Sequence, residues 1–319
     1  VYRARSIYGG GYAAGIYVDG GRDIVIERNI VHECDVGMEI GAENSGYEAS
    51  NVVVRSNLIY NNDKAGLAFG GYAAGVGRTR YCQFLNNTCF RNDTLQDGNG
   101  ELWIQYASNN IVENNIFFCG PQNLLLASAG TGTASGNTMN YNLWFSDAGS
   151  GSAVFQWRGT EYTGFAAYRA GSGQDAQSVF SNPTFLGGSV SNLDAHPAPG
   201  SPAIDSGNPA YAPAADVLDL DGRARVLNGR VDTGAYEWDG SVVSRPFVQI
   251  FSPTNRSRYA SPTTFRVDIS AADADGIASV RLFDDATLLA TLTAAPYEFT
   301  WTNVPRGLHT LTARAMDNA

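Results

Sequence analysis

The stretch Ile24–Cys34, which reads IVIERNIVHEC, places two short apolar strands on either side of an asparagine. The same pattern returns along the first half of the chain. Its four later copies are VVVRSNLIYNN (52–62), QFLNNTCFRN (83–92), NIVENNIFFC (110–119) and NTMNYNLWFS (137–146). Self-similarity at a fixed period indicates a repeat architecture in which each repeat stacks on the one before it.

The asparagines of these segments fall at nearly constant intervals of 28, 30, 28 and 27 residues. Each interval is long enough for three short strands and shows no helix pattern, so we interpret it as one coil of a stacked β repeat. An amide at the same turn of every coil can hydrogen-bond the amides of the neighbouring coils. We therefore expect a ladder formed by Asn29, Asn57, Asn87, Asn115 and Asn142.

Apolar residues at matching positions of the coils predict columns that point into the core. One column is Ile16, Met38, Leu67, Leu102 and Leu124, and another is Val31, Ile59, Cys89, Phe117 and Trp144. A stacked aromatic column is expected from His32, Tyr60, Phe90 and Phe118. The spacing of the cysteines fits neither a metal knuckle nor a disulfide framework, so we expect buried thiols at Cys34, Cys82, Cys89 and Cys119.

The period near 28 and the asparagine column resemble the right-handed parallel β-helix of pectate-lyase-like proteins. After the last clear coil, residues 147–240 lose the period but keep the motifs YTGFAAYRAGSGQDAQSVFSNPTF (162–185), GSPAIDSG (200–207) and DLDGRARVLNGRVDTGAYEW (219–238). These motifs resemble the closing region of secreted bacterial β-helix proteins. Residues 1–240 are thus interpreted as one β-helix domain, and the closing region is expected to cap its open apolar end.

Residues 245–319 change character to alternating strands, with PYEFTW (296–301) followed by PRGLHTLTARAMDNA (305–319). This part resembles the Ig-like domains attached to secreted bacterial carbohydrate-active enzymes and adhesins. Such domains usually have one more strand, so we expect the domain to be truncated here. The predicted fold class is all-β, a right-handed parallel β-helix followed by an Ig-like β-sandwich.

Composition narrows the choice of partners. With 21 basic and 31 acidic residues, the formal net charge of −10 would repel nucleic acid, and no apolar run is long enough to span a membrane. The resemblance implies a secreted or cell-surface protein whose partner is a polysaccharide or surface glycan. We expect a monomer.

The strand that opens each coil carries the residues from which we predict a site. Positions that alternate with the inward column place acids and aromatic rings on one outward face: Tyr17, Asp19, Glu39, Glu101, Trp103 and Gln105. Sugar rings stack on Tyr and Trp, and glycoside cleavage uses two carboxylates with separated pKa values. The turns 70–80 and 91–101 are expected to hang over this face with Tyr72, Arg78, Asp93 and Asp97.

Two functions remain open from the sequence. The first is a polysaccharide-degrading enzyme, in which Glu39 is the acid and Asp19 the base or nucleophile of a hydrolase, with Glu101 in the same groove. In a lyase, Arg78 would assist proton abstraction, and Ca²⁺ could be held by Glu43 and Asp97. Substrate contacts are predicted for Tyr17, Tyr72, Trp103, Gln105 and Asp93. The second function is glycan binding, adhesion or a structural role at the cell surface without catalysis, because the closing region and the Ig-like domain both resemble parts of cell-surface proteins. The polygalacturonase motifs and a clear pectate-lyase calcium cluster are absent from the sequence, so neither of these two activities is assigned.

Overall fold

The computed structural model describes residues 1–8, 10–120, 122–128, 130, 134–190, 192–240, 246–254, 256–260, 263–273 and 276–318. Residues 1–240 and 241–319 form two compact units. None of the helices among the described residues is both long enough and apolar enough to cross a membrane.

The first unit is a stack of coils, each of which opens with a strand of the sheet that we call the face sheet. In the first coil the strands are β1 (Ala14–Asp19), β2 (Val25–Glu27) and β3 (Ile30–His32). The second has β4 (Val36–Ala42), β5 (Ala49–Ser50), β6 (Val53–Arg55) and β7 (Leu58–Tyr60). The third has β8 (Ala65–Gly71), β9 (Thr79–Arg80), β10 (Gln83–Leu85) and β11 (Thr88–Phe90). The fourth has β12 (Leu102–Ile104), β13 (Ala107–Ser108), β14 (Ile111–Glu113) and β15 (Ile116–Cys119), and the fifth has β16 (Leu124–Ala127), β17 (Thr138–Asn140) and β18 (Leu143–Ser146).

Strands of successive coils pair in parallel, which confirms the β-helix. The face sheet runs β1-β4-β8-β12-β16 and is extended by β19 (Val154–Trp157) and the antiparallel β20 (Thr160–Thr163). A second sheet runs β2-β6-β10-β14-β17. The third, which we call the flank sheet, runs β3-β7-β11-β15-β18 and ends with β21 (Val179–Phe180). The short strands β5, β9 and β13 form a further sheet after the face strands.

The predicted asparagine ladder lies between the second sheet and the flank sheet. Each side-chain amide donates to the amide oxygen of the next coil, at 3.0, 2.9, 3.0 and 3.1 Å from Asn29 through Asn142. The same amides also bond the chain, as where Asn57 donates to the backbone carbonyl of Ile26 at 3.0 Å. The ladder therefore satisfies turn groups that the stack would otherwise bury without partners.

The structure confirms the predicted inward columns, with one correction at Leu124. The column from Val31 to Trp144 is in register and fully buried, and Ile16, Met38, Leu67 and Leu102 pair as predicted. The next partner of Leu102 is Leu126, so the prediction of Leu124 was wrong by two residues. Every residue of β16 is buried, and the register shifts between Leu124 and Leu126 where β16 pairs with β19. All four cysteines are buried free thiols, as expected.

The closing region does more than cap the stack. The helix α1 (Phe165–Ser172) stacks the Tyr168 ring on Phe155 of β19 with ring centroids 4.5 Å apart, and thereby covers the last coil. The chain then turns back, with the hairpin β22 (Phe185–Ser189) and β23 (Asn192–Pro197), along the outside of the flank sheet. There Phe185 packs on Phe90 and Phe118, and the backbone of Gly234 donates to Asn114 at 2.8 Å. The prediction of an end cap alone was therefore incomplete, because the outer face of the flank sheet is itself apolar.

The second unit is a sandwich of two three-stranded antiparallel sheets. Their orders are β24-β25-β28 and β27-β26-β29, and their core is Val267, Ile269, Val280, Leu282 and Tyr297. The strands are β24 (Phe247–Ser252), β25 (Thr263–Ala272), β26 (Ile277–Asp284), β27 (Thr287–Leu292), β28 (Tyr297–Val304) and β29 (Leu311–Asp317). This arrangement agrees with the predicted Ig-like β-sandwich.

Candidate functional site

Three carboxylates meet at the end of the first two face strands. Tyr17 and Glu39 are direct partners across β1 and β4, and Asp19 lies opposite Gly41. A Cβ at Gly41 would meet the backbone carbonyl of Gly70 at 2.8 Å and would lie at ordinary contact distance, 3.9 Å, from a Glu39 carboxylate oxygen, so that carboxylate lies over Gly41, the residue opposite Asp19. The backbone N–H of Glu43 donates to Asp19 at 3.1 Å. We call Asp19, Glu39 and Glu43 the acid cluster.

The acid cluster changes the protonation of its members. Partial burial raises the pKa of Glu39 to about 7, and the negative charges of Glu43 and Asp19 add to the rise. Partial burial together with the charges of Glu39 and Glu43 also raises the pKa of Tyr17. Glu39 can therefore carry a proton near neutral pH, which is the property required of a general acid.

An aromatic surface continues the same face two coils further along. Trp103 lies in the outward column of Tyr17, Glu39 and Ala68, and its ring packs against Ala68. Face strands are about 4.8 Å apart, so Trp103 is about 10 Å from Glu39 along the stack. Gln105 follows on this face, with its side chain against Gly70. Sugar rings of a chain bound along the stack could reach both Trp103 and Glu39.

Tyr12 and Lys64 belong to this surface, although the sequence reasoning missed them. The Tyr12 ring is 6.4 Å from the Trp103 ring, and the Lys64 ammonium lies 4.1 Å from the centroid of the Tyr12 ring. Tyr12 is 53% exposed. It precedes β1 and so stands outside the repeat, which is why the period gave no signal for it.

A buried carboxylate fixes the segment that brings Tyr12 to the face. Asp35 accepts the backbone N–H of Ser6 at 2.7 Å and that of Ala13 at 3.1 Å. Arg5 forms ion pairs with both Asp35 and Asp63 at the base of the same segment. Both ends of the segment are thus attached to the turn between the first two coils.

Two predicted site residues have structural roles instead. Glu101 was expected to point outward, but its side chain is fully buried and accepts two hydrogen bonds from Asn92. It precedes β12, so the alternation of a strand does not apply to it. Asp93 was expected to hang over the groove, yet it is buried and accepts the backbone N–H groups of Asp97, Gly98 and Gly100. Its carboxylate holds the turn 93–100 together.

The predicted calcium ligands do not come together as a cage. Asp97 forms an ion pair with Lys64 at 2.6 Å, whereas Glu43 belongs to the acid cluster. Within the described part of the chain, no group of three or more His, Cys, Asp or Glu side chains could hold a metal ion. The residues therefore do not fit the proposed Ca²⁺ site.

Arg78 and Tyr72 lie on the turn that follows β8. The Arg78 guanidinium donates to Glu48 at 3.1 Å. Arg78 is not among the charges that shift the pKa of Glu39, which are those of Glu43 and Asp19. Tyr72 is 70% exposed. Of the predicted site residues, the face therefore brings together Tyr17, Asp19, Glu39 and Glu43 at one end and Trp103 and Gln105 at the other.

Comparison with known proteins agrees with both units. Residues 4–76 match the family described as right handed beta helix region, and residues 246–313 match the bacterial Ig domain. A Bacillus subtilis (strain 168) protein, uncharacterized protein YwoF, is 36% identical over 174 residues, which is 54% of this chain and 37% of that protein.

Among solved structures, the fibronectin(III)-like modules of Clostridium thermocellum CbhA match 23% of this chain and 80% of theirs, at 25% identity and a TM-score of 0.21. The parallel coils and the two family matches identify the chain as a right-handed parallel β-helix with a C-terminal bacterial Ig-like domain.

Proposed function

We propose that this protein is an extracellular carbohydrate-active protein that cleaves a polysaccharide on the face sheet. The observation that carries the proposal is the acid cluster, in which burial and two neighbouring carboxylates raise the pKa of Glu39 to about 7. β-Helix and bacterial Ig domains both fit a carbohydrate-active or cell-surface protein. The exposed rings on the same face supply the surface on which sugars stack.

In this proposal the reaction is hydrolysis. Glu39 donates its proton to the glycosidic oxygen, and Asp19 acts from the other side of the sugar as nucleophile or as the base that activates water. The Cα atoms of Asp19 and Glu39 are about 8 Å apart, because they are one strand spacing and two residues out of register. Hydrolysis is favoured over elimination because Arg78, the group assigned to help proton abstraction, pairs with Glu48 and lines a separate cleft whose described lining includes none of Asp19, Glu39 and Glu43.

The test is release of new sugar ends from a panel of neutral and acidic polysaccharides. The full chain should release reducing ends without the ultraviolet absorbance of an unsaturated sugar. Glu39→Gln should lower the rate by about 100-fold or more, and Asp19→Asn by a similar factor. Glu161→Gln is the matched control, because Glu161 is exposed on β20 and bonds only Gln156 among the contacts of the described residues.

Glycan binding without catalysis is the second candidate, and the aromatic surface formed by Tyr12 and Trp103 favours it. Binding on this surface depends on the stacking of sugar rings on the aromatic side chains and needs no proton donor. The two candidates differ in one result. If no polysaccharide of the panel gains reducing ends while Trp103→Ala still weakens retention on a glycan, the binding function replaces the hydrolase.

A further inference from the structure

A second concave site lies beyond the face strands, where the chain turns toward β5, β9 and β13. It is a cleft of about 290 Å³, and its lining includes Tyr47, Arg78, Tyr106, Ser108 and Ser135. We call it the arginine cleft. Tyr47 is 64% exposed, so one wall presents an aromatic ring to solvent.

Positive charge is concentrated beside this cleft in a chain that is otherwise acidic. The carboxylate of Glu48 is paired with Arg80 at 2.6 Å, Arg78 at 3.1 Å and Arg22 at 3.8 Å. Three guanidinium groups share one carboxylate, so the group has an excess of two positive charges. The whole chain has a formal net charge of −10. The local charge beside the cleft is therefore opposite in sign to the net charge of the chain.

The arginines have donor capacity left over. Each guanidinium has five N–H donors, whereas Glu48 offers two oxygens to all three. The side chains of Arg22 and Arg78 are 68% and 54% exposed, and that of Glu48 only 20%. Arg78 lines the cleft, and Arg22 shares its carboxylate partner Glu48, so the donors that Glu48 does not use remain on two solvent-exposed guanidinium groups. Guanidinium groups presented in this way match the oxygens of a carboxylate or a sulfate.

We infer that the arginine cleft binds the anionic group of an acidic glycan, a carboxylate or a sulfate carried on a sugar ring. The guanidinium group of Arg78, which lines the cleft, and that of Arg22, which shares its carboxylate partner Glu48, bind the oxyanion, and the rings of Tyr47 and Tyr106 contact the sugar. The cleft is separate from the acid cluster and holds the polymer without taking part in its cleavage. The inference rests on the proposed function in taking the ligand to be a glycan.

The test is electrophoresis of the full chain in gels that contain one polysaccharide each. A polygalacturonate gel tests the carboxylate, a sulfated galactan gel tests the sulfate, and an uncharged galactan gel is the reference. Wild type should be retarded by at least one acidic gel. Arg78→Ala and Arg22→Ala should each weaken that binding by about tenfold. Arg78→Lys should weaken it by less, because lysine keeps the positive charge but lacks the planar paired donors of the guanidinium group.

Two controls make the result decisive. Arg306→Ala removes one exposed positive charge from the second unit, so it should leave the retardation unchanged. Tyr47→Ala should weaken retention without any change of charge. Retardation by one acidic gel alone identifies the oxyanion and supports the inference. Equal retardation of wild type and Arg78→Ala, or equal losses in Arg78→Ala and Arg306→Ala, would overturn it.

The readout keeps this inference apart from the proposed hydrolysis, because retention requires no turnover. Loss of cleavage in Glu39→Gln with unchanged retention would support both proposals. Retention by the arginine cleft in a protein that cleaves nothing would leave the inference standing and remove the hydrolase.

Discussion

Asn92 and Glu101 are joined by two hydrogen bonds, from the backbone N–H of Asn92 at 2.8 Å and from its side-chain amide at 2.7 Å. Asn92 in turn accepts from the amide of Asn62 at 2.7 Å. This short column runs in the same direction as the main ladder, whose last amide, Asn142, donates to Asp175 at 3.1 Å. In each column every asparagine amide donates its N–H to the next member along the stack, so the last member must be a hydrogen-bond acceptor. A carboxylate meets that need in both columns.

Burial raises the pKa of Glu101 to about 8, so its side chain is fully ionised only above that pH. At about pH 9, Glu101→Gln should lower the stability of the β-helix unit by about 1–3 kcal/mol, because one of the two Asn92 donors would then face an NH₂ group. Thermal unfolding of the full chain followed by calorimetry measures the change. Glu113→Gln is the control, because among the described residues the Glu113 side chain accepts one hydrogen bond, from Asn208, which a glutamine oxygen can keep. Equal stability of Glu101→Gln and wild type would show that the column does not need a carboxylate.

Asn87→Ala should cost more than an ordinary surface change, about 2–4 kcal/mol, because it leaves buried partners unpaired on both sides of the ladder. Asn87 accepts from Asn57 and donates to Asn115 and to the carbonyl of Val54. The exposed Asn44→Ala is the comparison and should change stability by less than about 0.5 kcal/mol. Chemical denaturation of both variants gives the difference, and similar values for the two would contradict the role of the ladder.

The architecture could be predicted from the sequence because one residue type recurs at one turn of every coil. A ladder in which each asparagine bonds the asparagine of the next coil gives that residue a regular spacing in the sequence, as the series from Asn29 to Asn142 shows. Tyr17, Asp19 and Glu39 lie within regular strands, where alternation fixes the outward side, so their placement on the face could be predicted, and their role stays a prediction.

The prediction failed where the chain leaves the repeat. Glu101 and Asp93 lie in a turn, and their carboxylates satisfy backbone or ladder donors, which a sequence pattern does not reveal. Lys64 and Asp97 meet only because two turns are stacked, although they are 33 residues apart. Tyr12 reaches the face because Asp35 holds its segment.

Trp103→Ala should weaken binding of the polysaccharide by about tenfold, because the ring is the principal aromatic surface of the face beside Tyr12. Trp103→Phe should retain most of the affinity. Binding is measured by gel retardation in the Glu39→Gln background, so that the polymer stays intact. Unchanged affinity in Trp103→Ala would place the polymer elsewhere on the protein.

The pH dependence of stability gives an independent view of Glu39. Its pKa in the folded protein, about 7, is raised from 4.5, so the folded state holds the proton more tightly than the unfolded state. The contribution of this group to stability is complete below about pH 4.5 and is lost as the pH rises through 7. Glu39→Gln should therefore match wild type at pH 4 and be more stable by about 1–3 kcal/mol at pH 8. Melting temperatures at the two pH values test this, and an equal difference at both would contradict it.

The pH dependence of polysaccharide cleavage tests the central claim most directly. If Glu39 is the general acid, release of reducing ends by wild type should fall as the pH rises through about 7. Glu43→Gln removes a negative charge that raises the pKa of Glu39, so this limb should move to lower pH, and Glu39→Gln should release almost no ends at any pH. Cleavage by Glu39→Gln at the wild-type rate, or a limb that stays in place in Glu43→Gln, would contradict the account.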